Sequence, residues 1–203
     1  VEPNGSLLEE PAMTSTTLSP PLADLIRRLD AAVAGNDDEA RCGAVKRALT
    51  EVVSQGADLL AAPFLQPRPD RYARRLLYRD PAGRYTVLAM VWDKGQGTAL
   101  HDHGGMWCVE CVYRGRIRVT SWSVRGGDAE TGVVQFARET EVLAGPAEAG
   151  ALIPPFEYHV LANADNQPAV TIHVYGGEMT SCHIYEPVEG GWRRRYKTLE
   201  YTP

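Results

Sequence analysis

Gly95-Gln96-Gly97-Thr98-Ala99-Leu100-His101-Asp102-His103 holds two of the chain's five histidines, one residue apart. On an extended strand residues two apart share a face, so His101 and His103 turn their rings to one side while Asp102 turns away, and both rings can reach one ion. Imidazole serves iron, zinc, copper and nickel in preference to magnesium or calcium, so the pair points to a first-row transition metal without selecting one. His159 and His173 follow on separate β-like segments toward the C-terminus.

Outward from that stretch the texture is one of short alternating runs. Strands are predicted over about 85–92, 98–103, 106–113, 116–124, 133–137, 151–153, 158–163 and 169–175. Turn signals separate them at Lys94-Gly95-Gln96-Gly97, Arg114-Gly115, Gly126-Gly127 and Asn166-Gln167-Pro168. So many short antiparallel candidates predict a mainly β double-sheet jelly roll or small barrel, with the site in its cavity. Upstream, Leu22, Leu25, Ile26, Leu29 and Val33, then Ala40, Ala44, Val45, Leu49, Val52 and Val53, recur at helical spacing. They predict two amphipathic helices over 22–34 and 37–54, with Asp37 as N-cap and Gly56 as stop. Pro63, Pro67 and Pro69 then break the chain, and Asp80-Pro81-Ala82-Gly83 marks a turn. The Ser-, Thr- and Pro-rich residues 1–20 read as a flexible tail. Residues 21–203 read as a single domain, with a helical segment at 21–56 and a β-barrel over about 72–187.

Composition narrows the function. A net charge of −5 and one short basic cluster, Arg193-Arg194-Arg195, argue against nucleic acid as a partner, because phosphate binding needs an extended basic face. No apolar run approaches the roughly 20 residues of a membrane span, and the acidic start does not resemble a secretory signal, so a cytoplasmic protein is expected. The four cysteines, Cys42, Cys108, Cys111 and Cys182, are too few for a disulfide framework. Cys108 and Cys111 match C-x-x-C, but three residues apart on a strand they face opposite sides, which rules out a redox or chelating pair.

The metal stretch, with Cys108 and Gly115 after it, resembles the first metal motif of the cupins, in which an acidic ligand follows H-x-H. Here the expected glutamate is replaced: Cys108 stands five residues beyond His103, and Glu110 two further on. That departure resembles the thiol dioxygenases of the cysteine dioxygenase family. His159 with Asn163, the run Thr171-Ile172-His173-Val174-Tyr175, the run Cys182-His183-Ile184-Tyr185-Glu186 and Tyr72-Ala73-Arg74 resemble further elements of that family in the same order.

The resemblance implies a cupin double-stranded β-helix barrel with N-terminal α-helices. It implies a non-haem Fe(II) held by His101, His103 and His159, with His173 outside the ligand set. Tyr175, His173 and Thr171 become catalytic candidates, with His173 able to orient the Tyr175 hydroxyl. Arg74, with Tyr72, becomes the clamp for a substrate carboxylate, and Cys108 and Tyr175 the partners of a thioether cross-link. The expected reaction adds both atoms of O₂ to the sulfur of a small carboxylated thiol, L-cysteine first, in a monomer that needs no organic cofactor. Mercaptosuccinate fits the same clamp. Relatives acting on 3-mercaptopropionate carry glutamine where Arg74 stands and a further arginine where this chain has Ile184. Two other readings stay open: a metal-containing cupin that binds a small ligand without oxygenase activity, and a zinc hydrolase or isomerase. Glu110 shares the strand parity of Cys108 and stays a candidate fourth ligand.

Overall fold

The computed structural model of the protein describes residues 18–56, 58–128 and 132–203. The expected N-terminal tail lies, up to residue 17, outside the described residues. Two helices come first, α1 (Pro20–Ala32) and α2 (Asp38–Ser54). Ser19 caps α1 by accepting from the Leu22 N–H, and Pro20 and Pro21 occupy the first turn, where a missing N–H costs nothing. The helix therefore begins two residues before its predicted start. Asp37 caps α2 by accepting the Ala40 N–H at 2.8 Å, and Gly56, at φ 67°, ends it.

Eleven strands follow among the described residues: β1 (Ala73–Arg79), β2 (Thr86–Trp92), β3 (Leu100–His101), β4 (Cys108–Arg114), β5 (Ile117–Asp128), β6 (Val133–Ala144), β7 (Ala149–Leu152), β8 (His159–Asn163), β9 (Ala169–Tyr175), β10 (Ser181–Val188) and β11 (Gly191–Thr198). One sheet runs β1-β2-β9-β4-β7. The other six strands pair in the order β10-β11-β6-β5-β8-β3 and close into a ring. The result is an antiparallel jelly-roll barrel with the helices packed on the outer face of the first sheet.

Strand parity sorts the first sheet into two cores. Val87, Ala89 and Val91 of β2, Val109 and Cys111 of β4 and Val170, Ile172 and Val174 of β9 pack with the helix residues Leu25, Leu29, Val45 and Leu49. The alternate residues Leu88, Met90 and Trp92, Cys108 and Tyr175 line the barrel interior. Both faces of β2 and β9 are thus buried, which accounts for their nearly unbroken apolar sequences. Cys108 and Cys111 belong to different cores, so the C-x-x-C spacing places the two thiols on opposite faces.

Three strands escape the sequence pattern. β1 carries three arginines in seven residues, and β11 is largely exposed, so neither shows a clean alternation of apolar and polar residues. β10 pairs with β11 and β3, and the barrel continues to Thr198 instead of ending near 187. Gly126-Gly127, expected as a turn, lies within β5 at a register shift against β6. A Cβ on Gly127 would stand 3.0 Å from the Val133 carbonyl oxygen, so glycine here permits close strand approach.

Candidate active site

β3 and β8 bring His101 and His159 directly opposite one another, and the residues after β3 carry His103 to the same point. Gly97 makes that approach possible: it bridges to Ala162, and a Cβ there would lie 2.6 Å from the Leu161 carbonyl oxygen. Asp102 then holds the histidine turn to β10. Its Oδ1 accepts the His183 and Gly104 backbone N–H groups at 2.9 and 3.1 Å, and its Oδ2 faces His183 Nδ1 and the Tyr185 hydroxyl, both at 3.1 Å. The strand itself stops at His101. Asp102 turns away as parity requires, but an anchor on β10 places His103, not continued sheet pairing.

One nitrogen from each of His101, His103 and His159 lies within 4.8 Å of the others. The His101 and His159 Nε2 atoms are 3.2 Å apart. Two nitrogens bound to one ion at about 2.1 Å, roughly 90–110° apart, sit about 3.0–3.4 Å from each other, so this pair is already at chelating distance. His101 Nδ1 donates to the Ala99 carbonyl at 3.0 Å, which leaves its Nε2 lone pair facing inward. Burial lowers the pKa of His101, and lowers those of His103 and His159 well below the usual histidine range. All three rings are therefore neutral at pH 7, the form that ligates a metal. The donor set fits a transition-metal ion.

β9 supplies the opposite wall. Thr171 Oγ1 accepts from Trp92 Nε1 at 2.9 Å and stands 2.8 Å from His173 Nε2. With one lone pair engaged by Trp92, the Thr171 hydroxyl can donate to His173 Nε2, and in that tautomer the proton of the ring sits on Nδ1. Burial, with the Arg74 charge nearby, lowers the His173 pKa to about 3, so it too is neutral. Its ring lies nearly parallel to that of Tyr175, 15° between the planes, with centroids 6.0 Å apart in an offset arrangement. Tyr175 lies opposite Cys108 in the β4–β9 ladder, and burial pushes both well above their ordinary pKa values.

The last side of the site is basic. Arg74 is 4% exposed, and its guanidinium donates to the Met179 carbonyl at 2.6 Å while Nε and Nη1 have no partner. Its Cζ lies 4.9 Å from the Tyr201 ring centre and 6.0 Å from that of Tyr175. Tyr72 stacks on Trp92 with centroids 4.6 Å apart. Arg74, Tyr72, Tyr175, His173 and the three-histidine cluster line one cavity of about 70 Å³, while Thr171 stands behind His173 and Cys108 behind Tyr175. Every expected site residue is thus in this cavity or next to its wall.

Sequence reasoning missed three contributors. Met179 and Tyr201 complete the Arg74 pocket from segments without a motif. Trp92, whose interior parity was readable, holds Thr171. Glu110 does face inward, but it stands behind the histidines: its Oε1 is 3.7 Å from His159 Nδ1, the nitrogen turned away from His101. It is absent from the cluster of potential metal donors, so the arrangement disfavours a fourth ligand there. Burial raises its carboxyl to about 8, and a cation in the cluster would act in the opposite sense.

An antiparallel jelly roll with three converging histidines defines a cupin-type fold with a candidate metal site. The model of the cysteine dioxygenase type I family matches residues 13–187, and the chain belongs to that family. Cysteine dioxygenase type 1 of Rattus norvegicus is 27% identical over 173 residues, covering 83% of this chain and 80% of the relative. The Homo sapiens protein of the same name is 24% identical over the same coverage. Among solved structures, TT1209 from Thermus thermophilus is 19% identical, covers 57% of this chain and 91% of its own, and superposes with a TM-score of 0.42. The cupin domain of Schizosaccharomyces pombe Cnp3 is 11% identical, covers 58% and 68%, and has the same score.

Proposed function

We propose that the protein is a mononuclear non-haem Fe(II) thiol dioxygenase that converts a small carboxylated thiol, L-cysteine foremost, to its sulfinate. One thiol and one O₂ give one sulfinic acid, with both oxygen atoms on sulfur and no external reductant. The observation that carries this reading is Arg74: a buried guanidinium with two unpartnered nitrogens in the same small cavity as three neutral histidines. Leaving buried charged donors unpaired is costly, and a substrate carboxylate would pair them.

His101, His103 and His159 would hold the iron, which when bound supplies the Lewis acidity that ionises the thiol and the redox exchange with O₂. Arg74 orients the substrate by its carboxylate, with Tyr72 packed beside it. Tyr175, kept protonated by burial, offers a hydrogen-bond donor in the cavity. His173, braced by Thr171 and Trp92, fixes the Tyr175 ring by stacking. Cys108, directly opposite Tyr175, is suited to a thioether, which forms with loss of two hydrogens to an oxidant such as O₂. Among the described residues no helix is long and apolar enough to cross a membrane. We read the enzyme as a cytoplasmic monomer.

The test is oxygen uptake and sulfinate formation by the iron-loaded protein with cysteine, 3-mercaptopropionate, mercaptosuccinate and cysteamine. Carboxylated thiols should be consumed with one O₂ each, and intact mass after turnover should fall by about 2 Da for the thioether, a mass fixed by its chemistry. Preference for cysteamine, which has no carboxylate, would remove the role given to Arg74. Tightly held zinc without oxygen uptake would replace the dioxygenase with a binding or hydrolytic cupin.

A further inference from the structure

We infer that Glu110 is a positioning residue for the metal cluster, accepting the Nδ1–H of His159 on one carboxylate oxygen and that of His173 on the other. The inference rests on reading the three histidines as metal ligands. Its geometry is symmetrical: Oε1 lies 3.7 Å from His159 Nδ1 and Oε2 lies 3.7 Å from His173 Nδ1. Both His159 Nδ1 and Glu110 Oε2 are buried without a hydrogen-bond partner. Buried polar groups are rarely left so, and each of these two faces a polar atom of another residue, His159 Nδ1 the Oε1 of Glu110 and Glu110 Oε2 the Nδ1 of His173, across gaps that a shift of about 0.7 Å would close to hydrogen-bond length.

The tautomers agree. His159 directs Nε2 at His101, so a proton carried by this ring in its ligating form sits on Nδ1, the nitrogen that faces Glu110. In the tautomer in which His173 Nε2 takes the Thr171 hydroxyl proton, its own proton sits on Nδ1, 3.7 Å from Glu110 Oε2 and 4.0 Å from Cys108 Sγ. Two donors thus converge on a residue with two acceptor oxygens, and the chain Trp92–Thr171–His173–Glu110–His159 links the wall carrying Tyr175 to one of the metal-binding rings. An anion one imidazole away from a divalent ion makes that ring a stronger ligand and fixes its orientation. It also supplies negative charge to a ligand set that has none of its own. A second cavity, of about 300 Å³, reaches Glu110 from the side away from the histidine cluster. Truncation to alanine would enlarge that cavity, so Leu and Gln are the informative replacements.

The experiment uses the full chain with Co(II) as a spectroscopic probe, titrated against a competing chelator. Glu110→Leu should weaken Co(II) binding about 10–100-fold and change its visible ligand-field bands. Glu110→Gln, whose amide oxygen can accept one of the two N–H groups, should give a smaller loss of the same kind and carries the test if the leucine variant does not fold. The metal-free Glu110→Leu protein should melt no lower than wild type, because without metal both Glu110–histidine gaps, at 3.7 Å, are longer than hydrogen bonds and the buried carboxyl is replaced by an apolar side chain of similar size. Unchanged Co(II) affinity and bands in both variants would overturn the proposal. So would a metal-free melting temperature that falls in step with affinity, since that makes Glu110 merely structural. A wild-type protein that binds no Co(II) defeats the metal reading itself and takes this inference with it, a failure distinguished from the others because the wild type is silent.

Discussion

The two sheets of the barrel differ in what they bring to the cavity. The closed ring contributes the histidines, through β3, the turn after it and β8, and much of the rest of that ring faces solvent. The first sheet, whose central strands β2, β9 and β4 are buried on both faces, contributes Arg74, Cys108, Glu110, Thr171, His173 and Tyr175. The proposed metal donors therefore come from one wall, and the groups proposed to bind the substrate, Arg74 and Tyr175, from the other. This separation means that loss of metal and loss of substrate positioning should be separable by mutation.

The largest effect should come from His159→Ala. It removes one of three metal donors and leaves the first sheet intact, so bound iron and turnover should both be lost while the fold persists. Metal content by elemental analysis and circular dichroism on the same sample check this, and retained stoichiometric iron would move the third ligand elsewhere. Next is Arg74→Ala, on the opposite wall. Iron content should stay at the wild-type level while kcat/KM for cysteine falls about 100-fold, the loss expected for charge-assisted hydrogen bonds to a carboxylate. Arg74→Lys should recover only part of it, because an ammonium cannot present the planar fork. Iron lost together with activity in Arg74→Ala would show that the two walls are not independent.

The difference between the sheets also explains what was legible in the sequence. The first sheet's strands β2 and β9, apolar at nearly every position, were found with bounds within one residue, which puts His173 and Tyr175, two residues apart, on one face. The histidine pair was legible because a spacing of two has a definite meaning on a strand. What was hidden lay in the ring and the closing segments. β11 has no alternation to read, because most of its residues face solvent, and β10 is recognisable only through the partners it finds on β11 and β3. Met179 and Tyr201 reach Arg74 through tertiary packing alone, which no local pattern encodes. Glu110 was assigned the correct face but not the correct neighbour: parity places a side chain on a face, whereas the choice between either side of an imidazole depends on how β4 and β8 pack.

The smallest predicted effect asks how the two walls bear on the stability of the metal-free protein as pH changes. Here the histidines and Glu110 pull in opposite directions. His101, His103, His159 and His173 have folded pKa values below the unfolded histidine value of about 6.5, with His173 near 3. As pH falls below about 6.5 the unfolded chain takes up protons that the folded one refuses, so stability drops. Glu110 does the reverse: its folded value, about 8, lies above the ordinary 4.5, so the folded state holds a proton that the unfolded one releases, and stability drops as pH rises from 4.5 toward 8. Among the cavity groups, four histidines oppose one carboxyl between about 4.5 and 6.5, and from about 6.5 to 8 that carboxyl titrates without them. Metal-free wild type should therefore be most stable near pH 6.5 and lose at most about 2 kcal/mol by pH 8, the integral of one proton over that interval. Glu110→Gln has no proton to release and should show no such alkaline decline while keeping the acid one. Urea denaturation of both metal-free proteins at pH 5, 6.5 and 8 measures the slopes. Equal wild-type stability at pH 6.5 and 8 would mean that Glu110 is already ionised in the metal-free fold, with the two imidazole protons facing it sharing that charge across both walls.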